Sequence, residues 1–293
     1  MLVLVAFLLL GSCSVKERGL RFGIISPSFD HLPLSYALQD GWQPRDGIEP
    51  VYFNSGWEVQ ESLISGKIDA AIMPFSYAYT AASRDYPIRI VSFLERESDA
   101  VVCGVEISSP EDLQGAKIGI LKASSVDLLM RDWADRVRLS YRPVFFRSPN
   151  EMIAALKAKV VKAIVGYVPL IQKLGEGYHA LHWFGENHPN HPCCDIVVNT
   201  DRMDQSRLSS LKELMDAIGK CVEAIDSPKV IEYACQKYDL DQDQARDAIL
   251  RTKFRLGLDP EGKAFEAQLM RVAVDMGYLN RVPSNQEIYL ELP

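Results

Sequence analysis

Trp57-Glu-Val-Gln-Glu-Ser-Leu-Ile-Ser-Gly-Lys-Ile-Asp-Ala-Ala-Ile-Met73 decides the fold. Its first half places Val59, Leu63 and Ile64 on one side of a helix, the 3.6-residue period of an amphipathic segment. Gly66-Lys67 breaks that helix, and Asp69 to Met73 follows as a short apolar run, the mark of a buried strand. Working outward, the same alternation recurs. Arg21 to Ile25 reads as a strand closed by Ser26-Pro27-Ser28, Leu34 to Gln39 as a helix and Glu49 to Phe53 as a second strand. Tyr77 to Arg84 is helical, and Ile88 to Leu94 is a strand. Repeated β-α-β units imply α/β architecture with a mostly parallel sheet flanked by helices.

A second series begins near Ala100. Strand Val101 to Val105 leads through Pro110 to Gly115 into strand Lys117 to Leu121. A helix from Ser124 or Ser125 buries Leu128, Leu129 and Trp133. Strand Tyr141 to Phe146 precedes a helix capped at Asn150, and strands Lys162 to Val168 and Asp195 to Asn199 complete the series. Two matching series make two lobes more economical than one sheet. The last hundred residues read as helices. Leu208, Leu211, Met215, Ile218, Val222 and Ile225 form one apolar stripe, Ser227-Pro228 starts the next helix, and Asp241 and Pro260 start two more. Packing that stripe against the first lobe gives a chain path of lobe one (21–100), lobe two (101–195) and lobe one again (196–293), with two crossovers as a hinge.

The 293 residues are 47% hydrophobic and 24% charged, an ordinary globular balance. Net charge is −7 with no basic stripe, so nucleic acid is not an expected partner. Met1 to Leu10 is apolar, but ten helical residues rise only about 15 Å, half a bilayer core. Ending in Leu10-Gly-Ser-Cys13 before Lys16-Glu-Arg18, the segment reads as a secretion signal. Its last four residues resemble a bacterial lipobox, which implies cleavage before Cys13, acylation of that thiol, and residues 14–20 as a tether. Of the other cysteines, Cys221 and Cys235 fall at helical apolar positions and Cys193-Cys194 read as two buried thiols. No metal or cofactor motif appears, and neither group is expected.

Four segments carry a family resemblance. They are His31 to Gly41, Ser62 to Ile72, Ser109-Pro-Glu-Asp-Leu-Gln-Gly-Ala-Lys-Ile-Gly119 and His191-Pro-Cys-Cys-Asp-Ile-Val-Val198. Together with their spacing they resemble periplasmic solute-binding proteins of ABC importers, in the branch for nitrate, sulfonates, taurine and thiamine precursors. The resemblance covers about residues 21 to 280. It implies the type II two-lobe fold and a monomer that captures a small solute in an interlobe cleft and hands it to permease subunits. It also implies no catalysis.

Such a cleft sits at the carboxyl ends of the strands. The loops there offer Ser26 and His31 after the first strand, Asn54 and Trp57 after the second, and Pro74, Phe75 and Ser76 after the third. From the second lobe come Ser124 and Ser125 at a helix N-terminus, Arg147 and Tyr167. His191, at the head of the returning strand, completes the candidates. Ser124 and Ser125 suit either an anionic oxygen or plain capping. The aromatic set Trp57, Phe75, Tyr77 and Tyr167 suits a flat ligand.

Two rival readings stand beside this one. Pyrimidine synthases of thiamine biosynthesis resemble these binding proteins and consume one of their own histidines with iron held at a cysteine motif. His31 and Cys193-Cys194 fall in comparable places, although two adjacent cysteines are fewer than that motif has. The third reading is a lipid-anchored binder acting as a sensor or adhesin without a transporter, which a neighbouring permease gene would exclude.

Overall fold

The computed structural model describes residues 19–26, 28–42 and 47–292. The secretion signal, Cys13, most of the tether and Pro27 lie outside the described residues. The chain runs β1 (Leu20–Ile25), α1 (Leu32–Gln39), β2 (Ile48–Phe53), α2 (Gly56–Ile64), β3 (Ala70–Pro74), α3 (Phe75–Ala82) and β4 (Ile88–Glu97). It then passes through β5 (Asp99–Gly104), β6 (Lys117–Leu121), α4 (Ser125–Arg136), β7 (Arg142–Phe146), α5 (Pro149–Lys157), β8 (Ala163–Tyr167) and β9 (Tyr178–Trp183). The return comprises β10 (Pro192–Asn199), α6 (Gln205–Glu223), α7 (Pro228–Tyr238), α8 (Gln242–Arg251), β11 (Thr252–Gly257), α9 (Pro260–Asp275) and α10 (Asn285–Ile288).

Two sheets result, six-stranded in the order β11-β4-β10-β3-β1-β2 and five-stranded in the order β7-β6-β8-β5-β9. Both are mixed rather than mostly parallel. β1 runs parallel to β2 and β3, and β6 runs parallel to β7 and β8, as β-α-β units require. The strands that enter and leave a crossover run against their neighbours: β10 is antiparallel to β3 and β4, and β5 is antiparallel to β8 and β9. A chain that leaves one sheet and returns must reverse direction there, which β-α-β grammar alone does not show.

The sheets also place the crossovers differently from the sequence reading. β5 begins at Asp99 in the second sheet, and the whole of β10 from Pro192 lies in the first. The first lobe thus closes near residue 97 and resumes near 192, bringing Cys193, Cys194 and Asp195 into it. Both passages contain left-handed residues that are not glycine: Glu97 and Ser98 at φ 64° and 69°, and Asn190 at φ 61°. They are tied together, since Asn190 N–H donates to Glu97 Oε1 at 2.6 Å and Glu97 N–H donates to His191 O at 3.0 Å.

Local signals explain the elements around the cleft. Ser55 caps α2 by accepting from Glu58 N–H, and the helix ends before Gly66, whose φ of +67° only glycine adopts without strain. Ser124 caps α4. Ser148, rather than Asn150, caps α5 by accepting from Glu151 N–H, because Pro149 fits the first helical turn. The C-terminal stretch is not wholly helical. Thr252 to Gly257 forms β11 on the edge of the first sheet. One apolar core spans the lobes, joining Val59 and Phe75 to Leu128 and Trp133 of α4 and Leu269 of α9.

Candidate functional site

Between the sheets lies a cavity of about 780 Å³, walled by residues from both lobes. Its first-lobe wall comes from the ends of β1, β2 and β3, where the strands stop and the chain turns into helices. Asn54, Trp57 and Pro74 line it, with Trp57 60% exposed at the mouth. Tyr77, on the first turn of α3, adds an aromatic face, and burial pushes its hydroxyl up to about 12. Gly56 permits that placement, because a Cβ there would lie 2.6 Å from Tyr77 Cε2. The second-lobe wall comes from Ser124, Ser125, Arg147 and Tyr167.

Five of the sequence candidates do not line the cavity. Ser26 is exposed, and its N–H donates to Phe53 O. Ser28, two residues on, faces the cavity instead. Phe75 is buried in the core, edge-on to Tyr79 at 6.2 Å. Ser76 donates its hydroxyl to Ala123 O at 3.0 Å, which pins the first lobe to the loop before α4. His191 is buried, with Nδ1–H donating to His188 O at 2.7 Å and Nε2 standing 3.8 Å from Asp99 Oδ2. His31 is buried as well. Ile25 N–H donates to its Nε2 at 3.2 Å, so the ring proton sits on Nδ1 and is donated to Asp30 Oδ1 at 2.9 Å. Both ring nitrogens are committed, and the ring orients Asp30 rather than reaching the cavity.

The helix-terminus serines are likewise occupied. Ser124 Oγ donates to Leu121 O at 2.6 Å and accepts from Asp127 N–H. Asp127 folds back on the same terminus, accepting from Ala123 N–H at 3.0 Å and from Tyr278 O–H at 2.8 Å. A carboxylate of the chain itself thus engages the N–H just before the helix, while Ser125 and Val126 of its first turn line the cavity. Ser125 Oγ meets Cys193 Sγ across the lobes at 3.2 Å.

The floor is acidic, which the sequence reading missed. Asp30, Glu95 and Asp99 line it at 5%, 2% and 1% exposure, beside Cys193 and Cys194. Burial, then the neighbouring charges of Asp99 and Asp30, push the Glu95 carboxyl well above its usual range. Burial also raises Asp99, against the attraction of His191. Asp30 goes the other way. Burial opposes its charge, but the attraction and hydrogen bond of His31, with Ser28 and Cys194 close by, hold it below the ordinary carboxylate range. The thiols are protonated at neutral pH. Cys194 hydrogen-bonds Cys193, yet burial and the facing Asp99 and Glu95 push Cys193 well up, and Cys194 is raised too. No disulfide links them. Glu95, Cys193 and Cys194 present donor atoms within 4.8 Å of one another, a spacing that one metal ion could bridge. A charged pair inside an apolar strand, Glu95-Arg96 in Ser92-Phe-Leu-Glu-Arg-Glu97, was the available signal for this floor.

The model of the NMT1-like family matches residues 14–238. No curated protein matches in sequence. Among solved structures, the alkanesulfonate-binding protein SsuA from Xanthomonas axonopodis pv. citri bound to MOPS is similar at TM-score 0.79 and 17% identity, covering 93% of this chain and 98% of that chain. The ligand-binding component of an ABC-type import system from Staphylococcus aureus, with zinc bound, is similar at TM-score 0.78 and 17% identity, covering 94% and 97%. The periplasmic aliphatic sulphonate-binding protein SsuA from Escherichia coli is similar at TM-score 0.75 and 17% identity, covering 94% and 93%. At these identities the likeness establishes the two-lobe periplasmic-binding-protein fold.

Proposed function

The chain belongs to the NMT1-like family, and on that footing we propose that it is an extracytoplasmic solute-binding protein that captures a small organic molecule for the permease of an ABC importer. The observation that carries the reading is the cavity itself. About 780 Å³ lies between two lobes, with Asn54, Trp57 and Tyr77 on one wall and Arg147 and Tyr167 on the other. That size fits a metabolite-scale ligand. Its walls sit on separate sheets joined by two strained crossovers, at Glu97-Ser98 and at Asn190. Rotation about those crossovers opens and closes the cavity, and the ligand stabilises the closed shape a permease would read.

Within this reading the ligand is a flat heteroaromatic solute rather than a sulfonate or nitrate. Tyr77, Tyr167 and Trp57 supply stacking faces, whereas a floor of Asp30, Glu95 and Asp99 disfavours an oxyanion. The pyrimidine-synthase reading needs a histidine presented to the cavity, and His31 is turned away with both ring nitrogens engaged. The Leu10-Gly-Ser-Cys13 sequence supports export and a lipid anchor on Cys13, leaving the protein a monomer tethered outside the cytoplasmic membrane. Metabolic labelling with palmitate, lost in Cys13→Ala, tests the anchor.

The binding reading is tested by a thermal-shift panel on the purified full chain with pyrimidines, thiamine, riboflavin, taurine, alkanesulfonates and nitrate, followed by calorimetry on any hit. A saturable stabilisation without turnover is expected, because a ligand selective for the folded form raises the melting temperature by mass action. Chemical conversion of the hit, or its binding unchanged by Tyr167→Ala and Asn54→Ala, would overturn the assignment.

A further inference from the structure

Three carboxylates on the cavity floor are each left one oxygen short. Asp30 Oδ2, Glu95 Oε1 and Asp99 Oδ2 are buried without a hydrogen-bond partner, and all three residues line the cavity. Buried acids are ordinarily paired with a cation or with donors. Among the described residues the chain's own cations do not serve. Arg96 is fully buried beside Glu95, but it turns away to Asn190 O at 2.9 Å and Asp259 Oδ2 at 2.6 Å. His31 gives its one ring proton to Asp30 Oδ1, leaving Oδ2 bare. His191 Nε2, 3.8 Å from Asp99 Oδ2, attracts that carboxyl but stands beyond hydrogen-bond distance of it. The other basic side chains of the lining, Arg84, Lys122 and Arg147, stand where α3, β6 and β7 end.

Resting on the solute-binding reading, we propose that the ligand carries a positively charged, N–H-bearing group of the amine, amidinium or guanidinium class. That group seats on Asp30, Glu95 and Asp99, with the rest of the molecule directed toward Tyr77 and Tyr167. Charge and donors arrive together, satisfying three orphaned oxygens at once, and charge-assisted hydrogen bonds are the stronger kind. The thiols of Cys193 and Cys194 beside the carboxylates add polarisable, weakly hydrogen-bonding surface without competing charge. Burial and mutual repulsion push Glu95 and Asp99 up, a strain that a bound cation relieves and an anion would worsen.

The test compares probes of one shape and different charge on the full chain: benzamidine, benzamide, benzoate and benzenesulfonate, with agmatine and phenethylamine as further cations and zinc chloride as a bare metal. Calorimetry and thermal shift should show saturable binding of at least one organic cation, with benzamide and benzoate weaker by tenfold or more than benzamidine. Glu95→Gln and Asp99→Asn should each cost the bound cation at least tenfold in affinity while keeping a urea midpoint no lower than the parent's, which separates lost recognition from lost folding. Four results would overturn the proposal: benzoate or benzenesulfonate binding as tightly as benzamidine, benzamide matching it, zinc alone stabilising the protein while no organic cation does, or the two variants leaving cation affinity unchanged. An anionic or neutral probe that binds in the cleft would sink the charge inference and leave the solute-binding reading standing, whereas failure of the wider solute panel would sink that reading itself.

Discussion

Replacing His31 with alanine should destabilise the fold far more than an exposed loop histidine would. The ring is buried and works in two directions, accepting from Ile25 N–H at 3.2 Å and donating to Asp30 Oδ1 at 2.9 Å. Truncation leaves a partly buried backbone N–H unpaired, which costs about 1–3 kcal/mol. It also strips a buried carboxylate of a charge-assisted hydrogen bond, a loss of about 1.5–3 kcal/mol. These losses overlap, so about 4 kcal/mol at pH 7 is the expected total. Urea unfolding followed by far-UV circular dichroism reads it directly. The pH dependence provides a sharper check. In the parent, His31 holds the Asp30 carboxyl below its ordinary range, so Asp30 contributes stability above the unfolded value of about 3.9, and that contribution is lost as pH falls through the folded value. Without the ring, burial is opposed only by Ser28 and Cys194 and raises Asp30, so the variant suffers most near neutrality and least in acid. Adding Asp30→Asn to His31→Ala should recover about half the loss, giving a coupling of about 2 kcal/mol. A cost below about 1 kcal/mol, or one that stays flat between pH 4.5 and 8, would refute the assignment of His31 as the group that positions Asp30.

Glu266 is buried, and burial raises it to about 7 against the hydrogen bonds of Asp195, Tyr289 and Tyr79. An acid raised on folding favours its protonated form, so its contribution falls as pH climbs from the unfolded value of about 4.3 to about 7; Glu266→Gln should gain on the parent by about 3 kcal/mol across that window and hold the gain above it, measured as urea midpoints at pH 4.5 and 8. Gly56→Ala should push Tyr77 from the cleft wall, since the new Cβ falls 2.6 Å from its ring, and weaken whatever solute binds by about tenfold, read by calorimetry. Cys193 and Cys194 should resist iodoacetamide at pH 8 in the native protein and react when urea is added, because both thiols are buried and raised; mass spectrometry counts the adducts, and native labelling would contradict the closed floor.

Much of the first lobe was legible because its elements obey single periods. α2 repeats apolar residues at helical spacing and stops at Gly66, and β3 is a short run bounded by a break on each side. β11 was missed although it carries a period of two, with Thr252, Phe254 and Leu256 alternating against Lys253 and Arg255. Six residues between two helical stretches are too few to outweigh their neighbours. β9 went unseen for a different reason: all six of its residues are half-buried, so no alternation marks it. The cleft loops could be placed because they follow strands, and Asn54, Trp57, Pro74, Arg147 and Tyr167 do face the cavity. The floor was not reached by that logic. Glu95 and Asp99 sit on strands rather than loops, and only the crossing of the chain between two sheets brings them beneath Asp30.

That crossing ties recognition to motion. Glu95 lies near the end of β4, Asp99 opens β5, and between them stand Glu97 and Ser98, the left-handed residues of the first passage. Asp30 belongs to the turn after β1, so a ligand group that touches all three is bound on both sides of the crossover. Any rotation of the lobes that changes the angle at Glu97-Ser98 also changes the spacing of the three carboxylates. One spacing satisfies the ligand best, and the ligand shifts the population toward the corresponding lobe angle by its difference in affinity for the two forms. A tenfold preference corresponds to about 1.4 kcal/mol, less than one charge-assisted hydrogen bond at the floor supplies. A single such contact, present in the closed form and absent in the open one, is therefore sufficient to make the lobe angle report the presence of the solute.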